Sequence, residues 1–454
     1  MDAVAATVLG LAGLLGLISL LPPLAERLRV PYTVLLAVLG CALGATVGFD
    51  LGGLGIVGDF LFAVDAIEVT ATAFLTIFLP VLLFDTGLSL DARALLEDLA
   101  PILLLAVVAV VVATVVAGFA VWGAAGWLAP GLTLAACLLL ASIVATTDPA
   151  AVVAIFREVG APQRLSNLVE GESLLNDAAA IALFGLFLAV VTGAREPDLE
   201  EGAWIFFREF LGGSAFGFLA GRLAAAVAIR LGDLRSAEIT LSLALPYLTY
   251  VLAQSYLYVS GVVAVVVAAL AFGAYGRVGL APASWQALTA IWQQLGFWAS
   301  SLVFVLASML VPRTLQSLTP ADAGLLLVLV AAALVARAVV LYGLLPGLSA
   351  LGLAQRVSGP YKAVMLWGGL RGAVTLALAL GVTESYAVAP EIKRHVAVLA
   401  TGFVLFTLFV QAPTLRPLLR WFRLDRLPPA ERALRARVMA LSFDDIVDRL
   451  HTAA

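Results

Sequence analysis

Residues 132–156 read Leu132-Thr133-Leu134-Ala135-Ala136-Cys137-Leu138-Leu139-Leu140-Ala141-Ser142-Ile143-Val144-Ala145-Thr146-Thr147-Asp148-Pro149-Ala150-Ala151-Val152-Val153-Ala154-Ile155-Phe156. The run is long enough to cross a bilayer as a helix, for which about 20 apolar residues suffice. It lacks the roughly 10-residue alternation of a membrane barrel strand. Its middle resists helix: Pro149 removes a backbone donor and its ring clashes with the preceding turn. A second apolar run, 361–382, is interrupted at Gly368-Gly369-Leu370-Arg371-Gly372, where three glycines in five residues weaken the helix. One break lies in each half of the chain. Paired breaks of this kind point to inverted repeats with a substrate site near the bilayer midplane. Two ordinary kinks are the alternative, weakened by the charge each break carries, Asp148 and Arg371.

Outward from the breaks the chain keeps the same character. Of 454 residues, 63% are hydrophobic and 12% charged, against about 25% charged in soluble domains; mean hydropathy is +1.07. In water such a chain would expose apolar surface it has no means of covering. It reads as an all-α polytopic membrane protein, because a helix satisfies its own backbone polar groups in lipid. Apolar runs give about thirteen transmembrane helices, near 3–25, 30–48, 69–88, 100–121, 132–156, 169–192, 206–229, 239–257, 260–276, 288–311, 322–346, 361–382 and 395–413. The boundary at Tyr258-Val259-Ser260-Gly261 is the least defined. Residues 3–25 lack a basic leader and a small-residue cleavage site and read as a retained span.

Thirteen is odd, so the termini lie on opposite sides. One alternating set of loops carries Arg27, Arg29, Arg93, Arg157, Arg164, Arg230, Arg235, Arg277, Arg356 and Lys362; the other has Arg195, Arg208, Arg313, Lys393 and Arg394. By the positive-inside tendency the first set is cytoplasmic, with the C-terminus, and the N-terminus is outside. Residues 416–454 hold eight Arg and five acids. The chain therefore divides into a membrane part, 1–413, and a short cytoplasmic tail, 414–454, lying near anionic headgroups and too short for a nucleotide-binding regulatory domain.

Several function classes drop out. The formal charge of −4 carries no nucleic-acid signature. Cys41 and Cys137 sit inside apolar runs and read as small buried residues. His395 and His451 form no HExxH, and neither is placed to serve Ser214 of Gly212-Gly213-Ser214, which removes an intramembrane protease. The remaining loops are too short for an inserted catalytic domain, so the chain reads as no enzyme and needs no cofactor.

The charges inside the spans carry the chemistry. Of 30 acids, 25 lie in loops, span ends or the tail and five lie within the spans: Asp85, Asp148, Glu170, Glu172 and Asp177. Burying an ionised carboxylate there costs at least about 2.5–3.5 kcal/mol, so such a residue faces a cavity, a partner or a transported ion. At about 100° per residue, Glu172, Ser173, Asn176 and Asp177 share an arc of roughly 140°. That face offers two carboxylates, a hydroxyl and an amide, all oxygen donors suited to a hard cation. Glu170 near its helix start is favoured by the dipole, and Asp85 lies close to a span end where solvent reaches. Glu172 is an ion ligand or an ion-pair partner. Arg371 needs an acid; Arg337 pairs or snorkels, in a structural role.

Thr146-Thr147-Asp148-Pro149, followed by Val169-Glu170-Gly171-Glu172-Ser173-Leu174-Leu175-Asn176-Asp177, resembles the central signature of the sodium/proton exchanger family. Gly368-Gly369-Leu370-Arg371-Gly372-Ala373 resembles its late arginine motif, and Leu79-Pro80-Val81-Leu82-Leu83-Phe84-Asp85-Thr86-Gly87 its third-span motif. The resemblance covers residues 3–413. It implies a core domain moving against a dimerisation domain, with the two broken helices crossing in the core, and a homodimer. It implies that Asp177 carries the cation and the proton beside Asn176, that Asp148, Thr147 and Ser173 complete the site around transported Na+, and that Glu172 pairs with Arg371. The Asn-Asp pair marks the branch expected to exchange one cation for one proton without net charge. One position departs: the family usually has Glu where this chain has Asp85, one methylene shorter, which would reach the ion only through water or a backbone shift.

The reading that results is a secondary antiporter of the cell membrane, working by alternating access and exchanging Na+, Li+ or K+ for H+ in pH and sodium homeostasis. One carboxylate with two competing ligands gives exchange. The rivals are K+/H+ exchange, a cation channel, and an anion symporter clamped by Arg371, which would leave Glu172 unpaired with that arginine.

Overall fold

The computed structural model describes residues 3–424 except 29, 47–54, 68, 69, 197 and 233; most of the expected tail, 425–454, lies outside the described residues. Every regular element among the described residues is helical. Among the described residues ten helices are long and apolar enough to cross a membrane, from Ala5–Leu28 to Pro390–Trp421. Three shorter apolar helices, Tyr32–Thr46, Leu134–Ala145 and Ala373–Glu384, fall in the other expected segments. The last two are halves of broken segments. Leu134–Ala145 is followed by Ala150–Val159, and Ala373–Glu384 is preceded by Gly359–Trp367.

Local sequence accounts for the ends. Thr133 accepts a hydrogen bond from Ala136 N–H to start Leu134–Ala145, and Thr319 with Asp322 forms a capping box at the start of Pro320–Ala338. The poorly defined boundary resolves into a turn: Tyr258 takes φ 53° and Ser260 caps Gly261–Gly279. Wider π-helical turns at Phe74–Phe78, Val339–Leu344 and Thr407–Gln411 run into the prolines Pro80, Pro346 and Pro413. The wider turns relieve the clash of each ring with the carbonyl four residues earlier.

Small residues set the packing. Gly213, Gly217 and Gly221 on Leu199–Arg230 lie against the backbone carbonyls of Ser260, Ala264 and Ala268; a Cβ at any of the three would collide with them. Both rows advance four residues at a time, so the backbones meet along one face, the close approach that dispersion favours in lipid. Gly213 is part of the Gly212-Gly213-Ser214 run, and Ser214 donates back to Phe210 O at 2.8 Å; the run serves packing. Gly40 and Gly44 admit the backbone of Val305 and Met309 in the same way. The helix Ile56–Asp65, not among the expected elements, packs on the first span, where Gly10 and Gly13 leave room for Ala63 and Phe60.

Ion pairs respect the two sets of loops. Arg164 meets Asp98 at 2.8 Å and Arg277 meets Asp91 at 3.9 Å on one side; Arg313 meets Asp65 at 3.9 Å and Arg394 meets Asp322 at 2.7 Å on the other. The last helix runs through residue 413 and ends at Trp421. Leu415 and Leu419, one turn apart, are fully buried where Ala412–Trp421 packs on the half-helices Ala150–Val159 and Gly359–Trp367. The start of the expected tail therefore belongs to the helical body.

Candidate functional site

The two breaks meet. Helix Leu134–Ala145 ends at Thr146, which has φ −56° and ψ 144°, and Pro149 restarts the chain as Ala150–Val159. The unwound residues leave backbone groups that lipid cannot satisfy. The structure satisfies them from the other break and from the acidic helix Gln163–Val191. Asp148 N–H donates to Leu370 O at 2.8 Å. The hydroxyls of Thr146 and Thr375 bond at 2.7 Å. Arg371 N–H donates to Thr407 Oγ1 at 3.1 Å. A Cβ at Gly372 would occupy the space of the Asp148 carboxylate, so glycine there lets the two breaks touch. Half-helices Ala150–Val159 and Ala373–Glu384 both begin at this crossing and turn their positive ends toward it.

Thr147 is held on three sides by the acidic helix. Its N–H donates to Asn176 Oδ1 at 3.2 Å, its Oγ1 accepts from Asn176 Nδ2 at 2.5 Å, and its carbonyl accepts from Ser173 Oγ. Asp148 Oδ1 accepts from Ala150 N–H at 2.9 Å, which orients the carboxylate at the start of the half-helix. One turn beyond Ser173 on the acidic helix, Asp177 Oδ1 is buried with no hydrogen-bond partner among the described residues.

These groups share a cavity of about 420 Å³, whose wall includes Asp177, Asp148, Thr147, Ser173 and Asp85. Asn176, expected beside the ion, lies behind that wall with both amide atoms engaged by Thr147. Asp85 approaches from Leu79–Ser89 and packs on Gly296, where any Cβ would displace its carboxylate. Arg157 and Glu170 also line the cavity, on the side of the arginine-rich loops.

One expectation is corrected. Glu172 does not pair with Arg371. Its Oε1 meets Arg337 Nη1 at 2.6 Å and its Oε2 accepts from Arg337 Nη2 at 3.0 Å, while Arg337 Nε donates to Met365 O at 2.7 Å. Gly369 makes room: a Cβ there would lie 3.3 Å from the Arg337 guanidinium. Arg371 is buried, its guanidinium stacked 5.5 Å from the Phe403 ring centre, with Nε and Nη1 unpartnered among the described residues. Arg371 sits at the break, but its backbone is what the neighbouring elements hold. Arg337 thus takes the partner expected for Arg371, in the structural role expected of it, and joins the site's supporting structure. The hydroxyls of Thr375 and Thr407, which tie the second break in place, carried no signal in the sequence beyond being polar atoms in apolar runs.

The family model described as "Sodium/hydrogen exchanger, transmembrane" matches residues 14–421. The chain is 34% identical over 395 residues to the Na(+)/H(+) antiporter ApNhaP of Aphanothece halophytica, covering 86% of this chain and 69% of that one. It is 31% identical over 392 residues to the low-affinity Na(+)/H(+) antiporter NhaS1 of Synechocystis, covering 85% and 68%. Its fold matches the sodium proton antiporter MjNhaP1 from Methanocaldococcus jannaschii with a TM-score of 0.73 at 18% identity, over 92% of this chain and 98% of that one.

Proposed function

Because this chain belongs to the sodium/hydrogen exchanger family, we propose that it exchanges Na+ for H+ across the cell membrane through one carboxylate, Asp177. The observation that carries the assignment is the buried Oδ1 of Asp177, without a hydrogen-bond partner among the described residues, on the wall of a cavity that also presents Asp148, Thr147 and Ser173. A carboxylate in that position has two ways to lose its charge, a proton or a partly dehydrated cation. Each loaded form is cheaper than the bare charge to carry past an apolar barrier. Binding of one ligand excludes the other, and exchange follows.

The protein's part is to hold the oxygens. Asn176 and Ser173 fix the unwound Thr147, and Ala150 N–H fixes Asp148, so little reorganisation accompanies ion entry. Asp85 faces the same space from a helix outside the crossing and contacts the ion through water. Phe74, Leu306, Ala307, Leu376 and Ala377 are buried and line a second, small and wholly apolar cavity, and the gathering of the polar groups in the first cavity favours alternating access over a continuous polar channel. Arg371 does not line the cavity, which removes it as a clamp for an anionic substrate even though Glu172 is paired elsewhere. A single carboxylate carries one monovalent charge per half-cycle, so exchange is electroneutral. The arginine-rich loops face the cytoplasm, and two copies form a dimer.

Purified protein in liposomes tests this. Imposed Na+, Li+ and K+ gradients are expected to drive opposite proton movement that is indifferent to an imposed membrane potential, with K+ the weakest or absent. Asp177→Asn is expected to yield a folded protein without exchange. Exchange near the parent rate in that variant would refute the single-site assignment, and K+ driving protons as well as Na+ would make the protein a general monovalent cation antiporter.

A further inference from the structure

The acidic helix carries two glutamates two residues apart that have opposite fates. Glu172 points into protein, is 1% exposed, and is locked to Arg337 at 2.6 Å. Glu170 lines the cavity seven residues, about 10.5 Å or just under two helical turns, before Asp177 and on the same face of the helix. Its only ion-pair partner among the described residues is Arg157, at 3.5 Å, longer than the roughly 2.7–2.9 Å of a charge-assisted hydrogen bond. The Arg157 side chain is 76% exposed and that of Glu170 14%. Gly160, at φ 73°, ends the half-helix Ala150–Val159 and turns the chain back into Gln163–Val191, which sets the two residues opposite each other. Among the described residues the charged groups on the cavity wall are Asp85, Asp148, Glu170 and Asp177, against the single base Arg157.

We infer that Arg157 and Glu170 form an exchangeable ion pair at the cavity mouth that sets how strongly monovalent cations are drawn toward Asp177. Glu170 is the entry carboxylate and Arg157 its tethered competitor. A cation arriving from the arginine-rich side meets Glu170 first, displaces a loosely held and well-solvated guanidinium, and passes two turns down the same helix face to the buried oxygen of Asp177. Neither residue touches the ion at its final site; both are positioning residues whose effect falls on encounter and affinity. The inference rests on the exchange reading above.

The two charges have opposite signs, so their removal has opposite consequences. In proteoliposomes at low ionic strength, Arg157→Gln is expected to lower the KM for Na+ by roughly threefold or more, and Glu170→Gln to raise it by a similar factor. Maximal rates change little by comparison, and both KM shifts shrink as choline salt screens the cavity mouth. A purely structural tie between the half-helix and the acidic helix predicts something else: both variants lose thermal stability and maximal rate together and move KM in the same direction, with no dependence on ionic strength. That result, or KM unmoved in both variants while the parent exchanges normally, overturns the inference alone. A parent protein that shows no cation-driven proton movement overturns the exchange reading and this inference with it.

Discussion

Glu172 and Arg337, 165 residues apart in the chain, are joined by two contacts of 2.6 and 3.0 Å in the interior of the helical body. The pair links the acidic helix to the span Pro320–Ala350, and through Arg337 Nε to the carbonyl of Met365 just before the second break. It supports the crossing without lining the cavity.

Stranding one member of a buried pair costs about 3–5 kcal/mol. Arg337→Met is therefore expected to lower the unfolding temperature in detergent well below that of Arg371→Met, since among the described residues no carboxylate lies within ion-pair distance of Arg371. A double-mutant cycle between Glu172 and Arg337 should show coupling, and one between Glu172 and Arg371 much less. Equal destabilisation by the two arginine variants would contradict this assignment of partners.

Gly372 touches the Asp148 carboxylate closely enough that no β-carbon fits. Gly372→Ala is expected to push Asp148 from the cavity wall and raise the KM for the transported cation by about tenfold or more, equivalent to about 1.4 kcal/mol. Gly185→Ala, on the acidic helix with nothing within 4 Å of the added carbon, should leave KM unchanged. Cation-dependent proton flux in vesicles measures both.

The glycine row Gly213, Gly217 and Gly221 makes a different forecast. Gly217→Ala drives a methyl into the backbone of Ala264, and overpacking of this kind costs about 1–3 kcal/mol. Thermal stability should fall while the KM of the correctly folded fraction stays near the parent value. A large KM change with an intact melting temperature would mean that this interface takes part in ion binding.

Competition at Asp177 has a defined sign. Lowering the pH adds protons to the carboxylate and removes sites for the cation, so the apparent cation KM should rise, by up to about tenfold per pH unit where one proton displaces one cation. At high pH the return step lacks protons and turnover falls. Rate against pH is therefore expected to be bell-shaped, with a maximum that moves to lower pH as Na+ is raised. A cation KM independent of pH would exclude a shared carboxylate.

Much of this molecule is legible from residue order alone. Hydropathy marks the spans because a bilayer tolerates little else, and Pro149 and the glycines at 368, 369 and 372 mark the breaks because they act on their own turns of helix. The same locality picks out the face holding Ser173 and Asp177, since helical period is a property of the segment itself. Asn176 shows where that reasoning stops. It lies on the correct face, yet its amide is spent on Thr147, an outcome that depends on how another segment is laid against it.

Residue order therefore determined a helical membrane protein with two broken segments and a carboxylate needing a reason to be in lipid. The tertiary structure decided which charge meets which. Period and hydropathy fix the direction a side chain leaves its own helix, but the choice between Arg337 and Arg371 for Glu172 depends on the packing of helices more than a hundred residues apart. Gly369 opens the space that Arg337 fills, and Phe403 takes the face of Arg371. The loose pairing of Arg157 with Glu170 has the same origin, because only the folded crossing brings both to the wall of one cavity.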